Sequence, residues 1–304
     1  MRQGQKGTDQ TKGGKQHMTQ PSEQGGGYPH TYFVQDRANV DERTRLHLQD
    51  VMLTKAMGGA LPEQTAHFRR VLDIGCGTGD WLIEVAKTYP EIELLVGIDA
   101  SKYIIEYARE QASREGVADR VEFHVADALL IIEFPKHYFD LVNQRLGWSY
   151  LRTWDWSNIL TKYQYVTQPE GVVRITEGTA FNTSTSPALT QLYTLGFEAF
   201  HRAGHLFTPE HDSVTNKLPE LLHNHGVKDI QTRSTRLEYR VGSEMMDGFV
   251  ENTRLFFRTL APFLRKWGHM PDNYEDIVRQ ALEDIQQPDC LTTGELVTVW
   301  GTWP

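Results

Sequence analysis

Cysteine is scarce in this chain: 304 residues carry two, Cys76 and Cys290. Two thiols exclude a disulfide-rich secreted scaffold, and a bond between them would obstruct the glycine-rich loop that holds Cys76, so a reducing cytoplasm is the expected home. No apolar run approaches the roughly 20 residues needed to cross a bilayer, so a membrane is not an expected partner. A basic surplus is missing as well, with 31 Lys and Arg against 40 Asp and Glu and a net charge of -9. Without a local Lys/Arg run, nucleic acid is not an expected partner either. The first residues are poor in apolar side chains and rich in Gln, Gly, Lys and Thr. Such a segment cannot offset the entropy of ordering and lacks the apolar stretch of a secretion signal, so 1–27 reads as a disordered tail. Met18 would serve equally well as the natural start.

What the chain does contain is an apolar strand that breaks into a glycine-rich turn and opens a helix: Val71-Leu72-Asp73-Ile74-Gly75-Cys76-Gly77-Thr78-Gly79-Asp80-Trp81. Glycines at alternate positions let the backbone take positive φ and approach a ligand closely, and free amides at the next helix start favour an anionic group. A dinucleotide fingerprint, G-x-G-x-x-G, would place its third glycine one residue later, and here Asp73 sits inside the strand. A tight strand-to-helix turn with no ligand is the plain alternative. A second strand, 94–99, ends in Asp99 about 20 residues beyond the loop, where a carboxylate can accept both ribose hydroxyls of an adenosine. Asp99 could instead cap the helix at 102–114, but Ser101 is the better cap and leaves Asp99 for a ligand. A third strand at 121–126 ends in Asp127 and Ala128, and a fourth at 139–145 ends in Asn143, Gln144 and Arg145. Four strand ends thus converge on one crevice, as ligand sites of open α/β sheets require.

The spelling of the loop, with Asp99, Asp127 and Ala128 at the following strand ends, resembles the class I S-adenosylmethionine-dependent methyltransferases. Asp36, the run 41–49, Arg145 and the Asp155-Trp156 pair resemble a branch of methyltransferase-like regulators of fungal secondary metabolism and their bacterial relatives. The resemblance implies an α/β fold, a doubly wound, mostly parallel seven-stranded sheet of Rossmann-like type. It also implies S-adenosylmethionine as cofactor, bound by Tyr32, Asp73, Gly75, Cys76, Gly77, Asp99, Ala100, Asp127, Ala128, Asn143 and Gln144. Asp127 would accept the adenine amino group, the Ala128 amide would reach a ring nitrogen, and the end of strand four would face the methionine moiety. The family usually has Lys-Pro-Gly-Gly where this chain has Gln168-Pro169-Glu170-Gly171, a turn far from the crevice. The branch also implies an alternative to catalysis, a cofactor-binding regulatory protein without turnover of its own.

Around that core the pattern predicts an N-terminal helical lid at 28–68, with an amphipathic helix at 39–60 through Leu46, Leu48, Val51, Met52 and Met57. Tyr28 and Tyr32 are lid candidates, or ordinary aromatics packed on the sheet edge. The methyltransferase domain proper would run 69–304, with a fifth strand at 172–177 and helical insertions at about 180–212 and 243–288. Strands six and seven fall at 229–239 and 295–303, and further helices at 186–204, 213–225, 243–267 and 273–286. Phe249, Leu255, Phe256, Phe257, Leu260 and Phe263 would wall an apolar substrate cavity, form the interface of a homodimer, or simply pack in the core. Methyl transfer needs alignment and desolvation more than a strong base. Where the small-molecule acceptor must lose a proton, Glu177 at the end of strand five and His205 are the candidate catalytic groups. His201 and His205 are spaced i, i+4, but with no third ligand nearby no metal is expected.

Overall fold

The computed structural model describes residues 32–34, 36, 38–65, 67–130, 133–179, 181–211 and 213–304. The expected tail at 1–27 and the lid candidate Tyr28 lie outside the described residues. Along the chain come α1 (Val40–Met57), β1 (Arg70–Ile74), α2 (Asp80–Thr88), β2 (Leu94–Asp99), α3 (Lys102–Arg114), β3 (Val121–Val125) and β4 (Phe139–Arg145). Then follow α4 (Trp156–Val166), β5 (Thr167–Gly178), β6 (Thr183–Ser184), α5 (Pro187–Arg202), α6 (Leu218–Asn224), β7 (Lys228–Tyr239), α7 (Met246–Trp267), α8 (Tyr274–Asp284) and β8 (Thr292–Thr302).

The strands form one sheet in the order β3-β2-β1-β4-β5-β8, with β7 paired to β8. β1 to β5 are parallel, whereas β8 is antiparallel to β5 and to β7. The strand beyond the expected seven is β6, which pairs with Thr292 and Thr293 of β8 while β5 pairs with the stretch from Leu296 to Thr302. Because β7 occupies the other edge of β8 along its whole length, β6 continues the β5 edge after a short break. The strand order reverses between β1 and β4, and a crevice opens at their carboxyl ends.

Strand alternation sorts the side chains into two layers. Val71, Leu95 and Leu141 pack with Trp81, Leu82 and Ile105 of α2 and α3. Leu72, Val96, Val142, Val173 and Ile175 pack on the opposite face with residues of α4, α5 and α7. Of the six expected wall residues, Phe249, Leu255, Phe257, Leu260 and Phe263 are buried within the chain and Phe256 is half-buried against them, so they serve as core.

Three local expectations change. The predicted turn at 168–171 is absorbed into β5, where Glu170 takes φ 63° and the β4 register shifts between Phe139 and Leu141. The Glu170 amide still finds a partner, the Trp303 carbonyl at 2.7 Å, so the strand runs through a bulge. The helix expected from 213 begins only at Leu218, beside Pro219, whose missing amide suits a first helical turn. In α1, Val51 is 49% exposed, while Glu42, Arg45 and Thr54 are buried alongside Met52, Leu53 and Met57. The helix is not simply amphipathic, because one flank is covered by α7. A Cβ on Gly248 of α7 would lie 2.7 Å from the Met52 sulfur, which measures how closely the two helices approach.

Candidate functional site

All three loop glycines take positive φ: Gly75 at 67°, Gly77 at 53° and Gly79 at 79°. Their surroundings differ. A Cβ at Gly79 would meet the Phe123 ring at 2.5 Å, and one at Gly75 would meet the Tyr150 hydroxyl at 2.7 Å, whereas at Gly77 nothing among the described residues lies within 4 Å. Gly75 and Gly79 are therefore glycines for packing, and Gly77 alone opens on free space, the cradle a cofactor requires. Cys76 turns its side chain into the core beside Gly97, where burial raises its thiol pKa well above the ordinary value. What Cys76 can offer a ligand is its backbone.

At the end of β2, Asp99 Oδ2 accepts from the Gly77 amide at 3.3 Å and Oδ1 from the Ser101 amide at 2.8 Å, with Ala100 between. The carboxylate thus ties the loop to the start of α3, which Ser101 caps through Ile104. At the end of β3 the half-buried Asp127 accepts from the Leu129 amide at 3.0 Å. The next carbonyls are gathered by Lys162 of α4, whose Nζ donates to Ala128 and Leu129 at 2.7 Å each and to Leu130 at 3.1 Å. Lys162 went unnoticed in the sequence, since a mid-helix lysine carries no positional signal.

Asp73, Asn143 and Arg174 lie side by side on β1, β4 and β5, in register and on the α2 face. Asn143 donates to Asp73 at 2.7 Å and accepts from Arg174 at 2.7 Å, and Arg174 is paired with Glu63. Burial pushes the Asp73 carboxyl up to about 7, with Arg145 and the Asn143 amide opposing. Gln144 points to the other face, where it accepts from Tyr163 and donates to Glu177 at 3.1 Å. The polar side chains expected to face a cofactor at the end of β4 are thus fully buried and bonded within the protein.

Glu177 and His205 come together on a single feature, the turn 147–151 that follows β4. Glu177 Oε1 accepts from the Gly147 amide at 2.7 Å and Oε2 from the Trp148 amide at 3.3 Å. His205 Nδ1 lies 2.9 Å from the Trp148 carbonyl and 3.0 Å from that of Leu151. Two carbonyls can only accept, so Nδ1 carries the proton and Nε2 keeps its lone pair. Nε2 is buried and has no partner among the described residues. Both side chains are fully buried. Burial pushes the Glu177 carboxyl up to about 8 against the pull of the Trp148 and Gly147 amides, and it lowers the His205 imidazole to about 4.

These shifts set opposing pH dependences. Between about 4.5 and 8 the folded chain keeps a proton on Glu177 that the unfolded chain has released, so this group's stabilisation falls as pH rises through that window. Between 6.5 and about 4 the unfolded chain takes up a proton that folded His205 refuses, so stability falls as pH drops. The decline between pH 6.5 and about 8, where His205 no longer opposes it, should be shallower in Glu177→Gln when both proteins are followed by urea denaturation, and parallel curves would refute the assignment.

Sequence reasoning also missed the polar face of α1 that meets these loops. Arg43 donates to the Tyr103 hydroxyl at 2.8 Å, His47 Nδ1 lies 2.7 Å from Asp80 Oδ1, and Asp50 pairs with Arg145, which also reaches Thr54 at 3.1 Å. Positions 43, 47, 50 and 54 share one helical face, a spacing visible in the sequence but masked by the apolar residues between them. Tyr32 lies in the junction of α1 and α7, donating to Glu42, which also accepts from Thr259 at 3.3 Å.

Residues 71–171 match the family model for a methyltransferase domain. The chain is 34% identical over 113 residues to 27-O-demethylrifamycin SV methyltransferase of Amycolatopsis mediterranei, covering 37% of this chain and 38% of that protein. It is 33% identical over 99 residues to demethylmenaquinone methyltransferase of Lactiplantibacillus plantarum, covering 33% and 40%. It is 36% identical over 105 residues to O-methyltransferase cnsE of Penicillium expansum, covering 34% and 35%. The chain spans well under half the length of these curated relatives. No described helix is long and apolar enough to cross a membrane. The segment 71–171, with its glycine-rich loop and acidic strand ends, belongs to the class I methyltransferases, whose methyl donor is S-adenosylmethionine.

Proposed function

We propose that the chain transfers a methyl group from S-adenosylmethionine to a small-molecule acceptor, a secondary metabolite. The observation that carries this reading is the open cradle at Gly77, flanked by Asp99 and Asp127 at adjacent strand ends. Relatives named for methylating demethylrifamycin SV and demethylmenaquinone support an acceptor of this size. The cofactor supplies an electrophilic methyl on a sulfonium. Asp99 and Asp127 would hold the adenosine, and the backbone of Gly75 to Gly77 would approach it from below. His205 Nε2 has no partner among the described residues, but burial lowers the imidazole to about 4, so it is a poor proton acceptor and serves by holding the Trp148 and Leu151 carbonyls. Glu177 has both oxygens engaged and acts through the turn it holds.

Calorimetric titration with S-adenosylhomocysteine tests the cofactor half. Asp99→Ala should weaken binding roughly ten- to hundredfold, the worth of a charge-assisted hydrogen bond of about 1.5–3 kcal/mol. Because Asp99 also holds the Gly77 and Ser101 amides, Asp99→Asn serves as the companion variant that retains an acceptor but loses the charge. Unchanged affinity in both would reject the site. Formation of S-adenosylhomocysteine over a panel of phenols and hydroquinones tests turnover, and binding without turnover on any acceptor would favour a regulatory role.

A further inference from the structure

Tyr150 belongs to the turn that Glu177 and His205 hold, and its hydroxyl fills the space a side chain on Gly75 would need, 2.7 Å from the position of that absent Cβ. The hydroxyl donates to the Ile74 carbonyl at 3.4 Å. It accepts no hydrogen bond among the described residues, so its lone pairs remain available. The side chain is half-buried, at the border between the glycine-rich loop and the crevice.

The direction of the crevice follows from strand order. Asp99 and Asp127 end β2 and β3, on one side of β1, so an adenosine held there leaves the rest of the ligand to extend past the loop towards β4. The turn bearing Tyr150 follows β4 directly. Five hydrogen bonds fix that turn: amides to Glu177, carbonyls to His205, and the Tyr150 amide to the Gly147 carbonyl at 3.0 Å. Gly147 allows this fit, since a Cβ there would overlap the Gln144 amide at 1.9 Å. Phenolate formation is opposed by burial and by the carboxylates of Glu177, Asp99 and Asp73, so the group stays a neutral hydroxyl whose single proton is directed at Ile74.

We propose that Tyr150 is a cofactor-contacting residue whose hydroxyl oxygen faces the sulfonium half of the ligand and favours the charged methyl donor over the neutral thioether product. The inference rests on the cofactor reading above. A methyl or methylene on a sulfonium has polarised C–H bonds, and an oxygen lone pair nearby accepts them as weak hydrogen bonds that the uncharged product makes less well. Glu177 and His205 are positioning residues in this arrangement, since they act through the turn.

The test is paired calorimetry with S-adenosylmethionine and S-adenosylhomocysteine on the full chain and on Tyr150→Phe, which keeps the ring and removes the oxygen. Affinity for S-adenosylmethionine should fall about three- to fivefold, while that for S-adenosylhomocysteine moves less than about twofold. The melting temperature without ligand should move little, since the hydroxyl gives up only one long hydrogen bond to Ile74, and this separates contact from folding. Equal losses for both ligands, or no loss for either, would overturn the role of the hydroxyl while leaving the cofactor site intact. A wild-type chain that bound neither ligand would overturn the cofactor reading and this inference together.

Discussion

Valine in place of Gly77 should reduce S-adenosylmethionine affinity by roughly a hundredfold or more, equivalent to about 2.8 kcal/mol. The loop position has φ 53°, and among the described residues no atom lies within 4 Å of where its Cβ would sit. A branched side chain would therefore meet no neighbour among the described residues; it would occupy the volume the ligand needs. Holding a β-branched residue in left-handed backbone costs about 1–2 kcal/mol, so the variant should fold with a modestly lower melting temperature. Calorimetry alongside thermal unfolding separates the two effects, and a Gly77→Val protein with wild-type affinity would mean the loop does not touch the cofactor. The same substitution at Gly75 or Gly79 could not give this clean answer, since the Tyr150 hydroxyl and the Phe123 ring already fill those places.

The second large effect is expected at Glu177. Replacing it with alanine strands the amides of Gly147 and Trp148 and one donor of Gln144 in a fully buried place. Each stranded donor costs about 1–3 kcal/mol, so a loss of at least about 3 kcal/mol is expected. Thermal unfolding should shift down by roughly 5–10 °C. The turn carrying Tyr150 would loosen too, so cofactor affinity should fall in the variant even at temperatures where it remains folded. An unshifted melting curve would show that the carboxylate is dispensable to the turn.

The cofactor half of the fold was legible because each of its parts has a local cause. Alternating glycines before a helix, an acid at a strand end and Ser101 as a cap are all short-range signals, and β1 to β4, α3 and Asp99 lie where those signals put them. The roles of Glu177 and His205 were only half legible. Position at a strand end told that Glu177 lies near β4, but not that two amides of the following turn would occupy its oxygens. His205 was singled out for its spacing from His201, yet its partners are carbonyls more than fifty residues earlier. The start of β5 was misjudged because the Pro169-Glu170-Gly171 turn chemistry is satisfied by a bulge, with Trp303 from the far end of the chain supplying the acceptor. Polar residues on α1 were hidden for a similar reason: Arg45 is buried because Glu42 pairs with it and because Phe33 and Phe256 cover its guanidinium.

The clasp of α1 by α7 orders events during synthesis. α1 brings His47, Asp50 and Arg43 onto the loops around the cofactor crevice, yet its own anchorage comes from Thr259, Phe256 and Gly248, some two hundred residues downstream. A nascent chain can pair β1 to β4 from neighbouring segments soon after they emerge, but it cannot complete the packing of its first helix until α7 has left the ribosome and a very long loop has closed. The strand ends of the crevice are thus framed early, and the newborn protein passes through a stage in which the glycine-rich loop is formed while the α7 side of its first helix still waits for the C-terminal third of the chain.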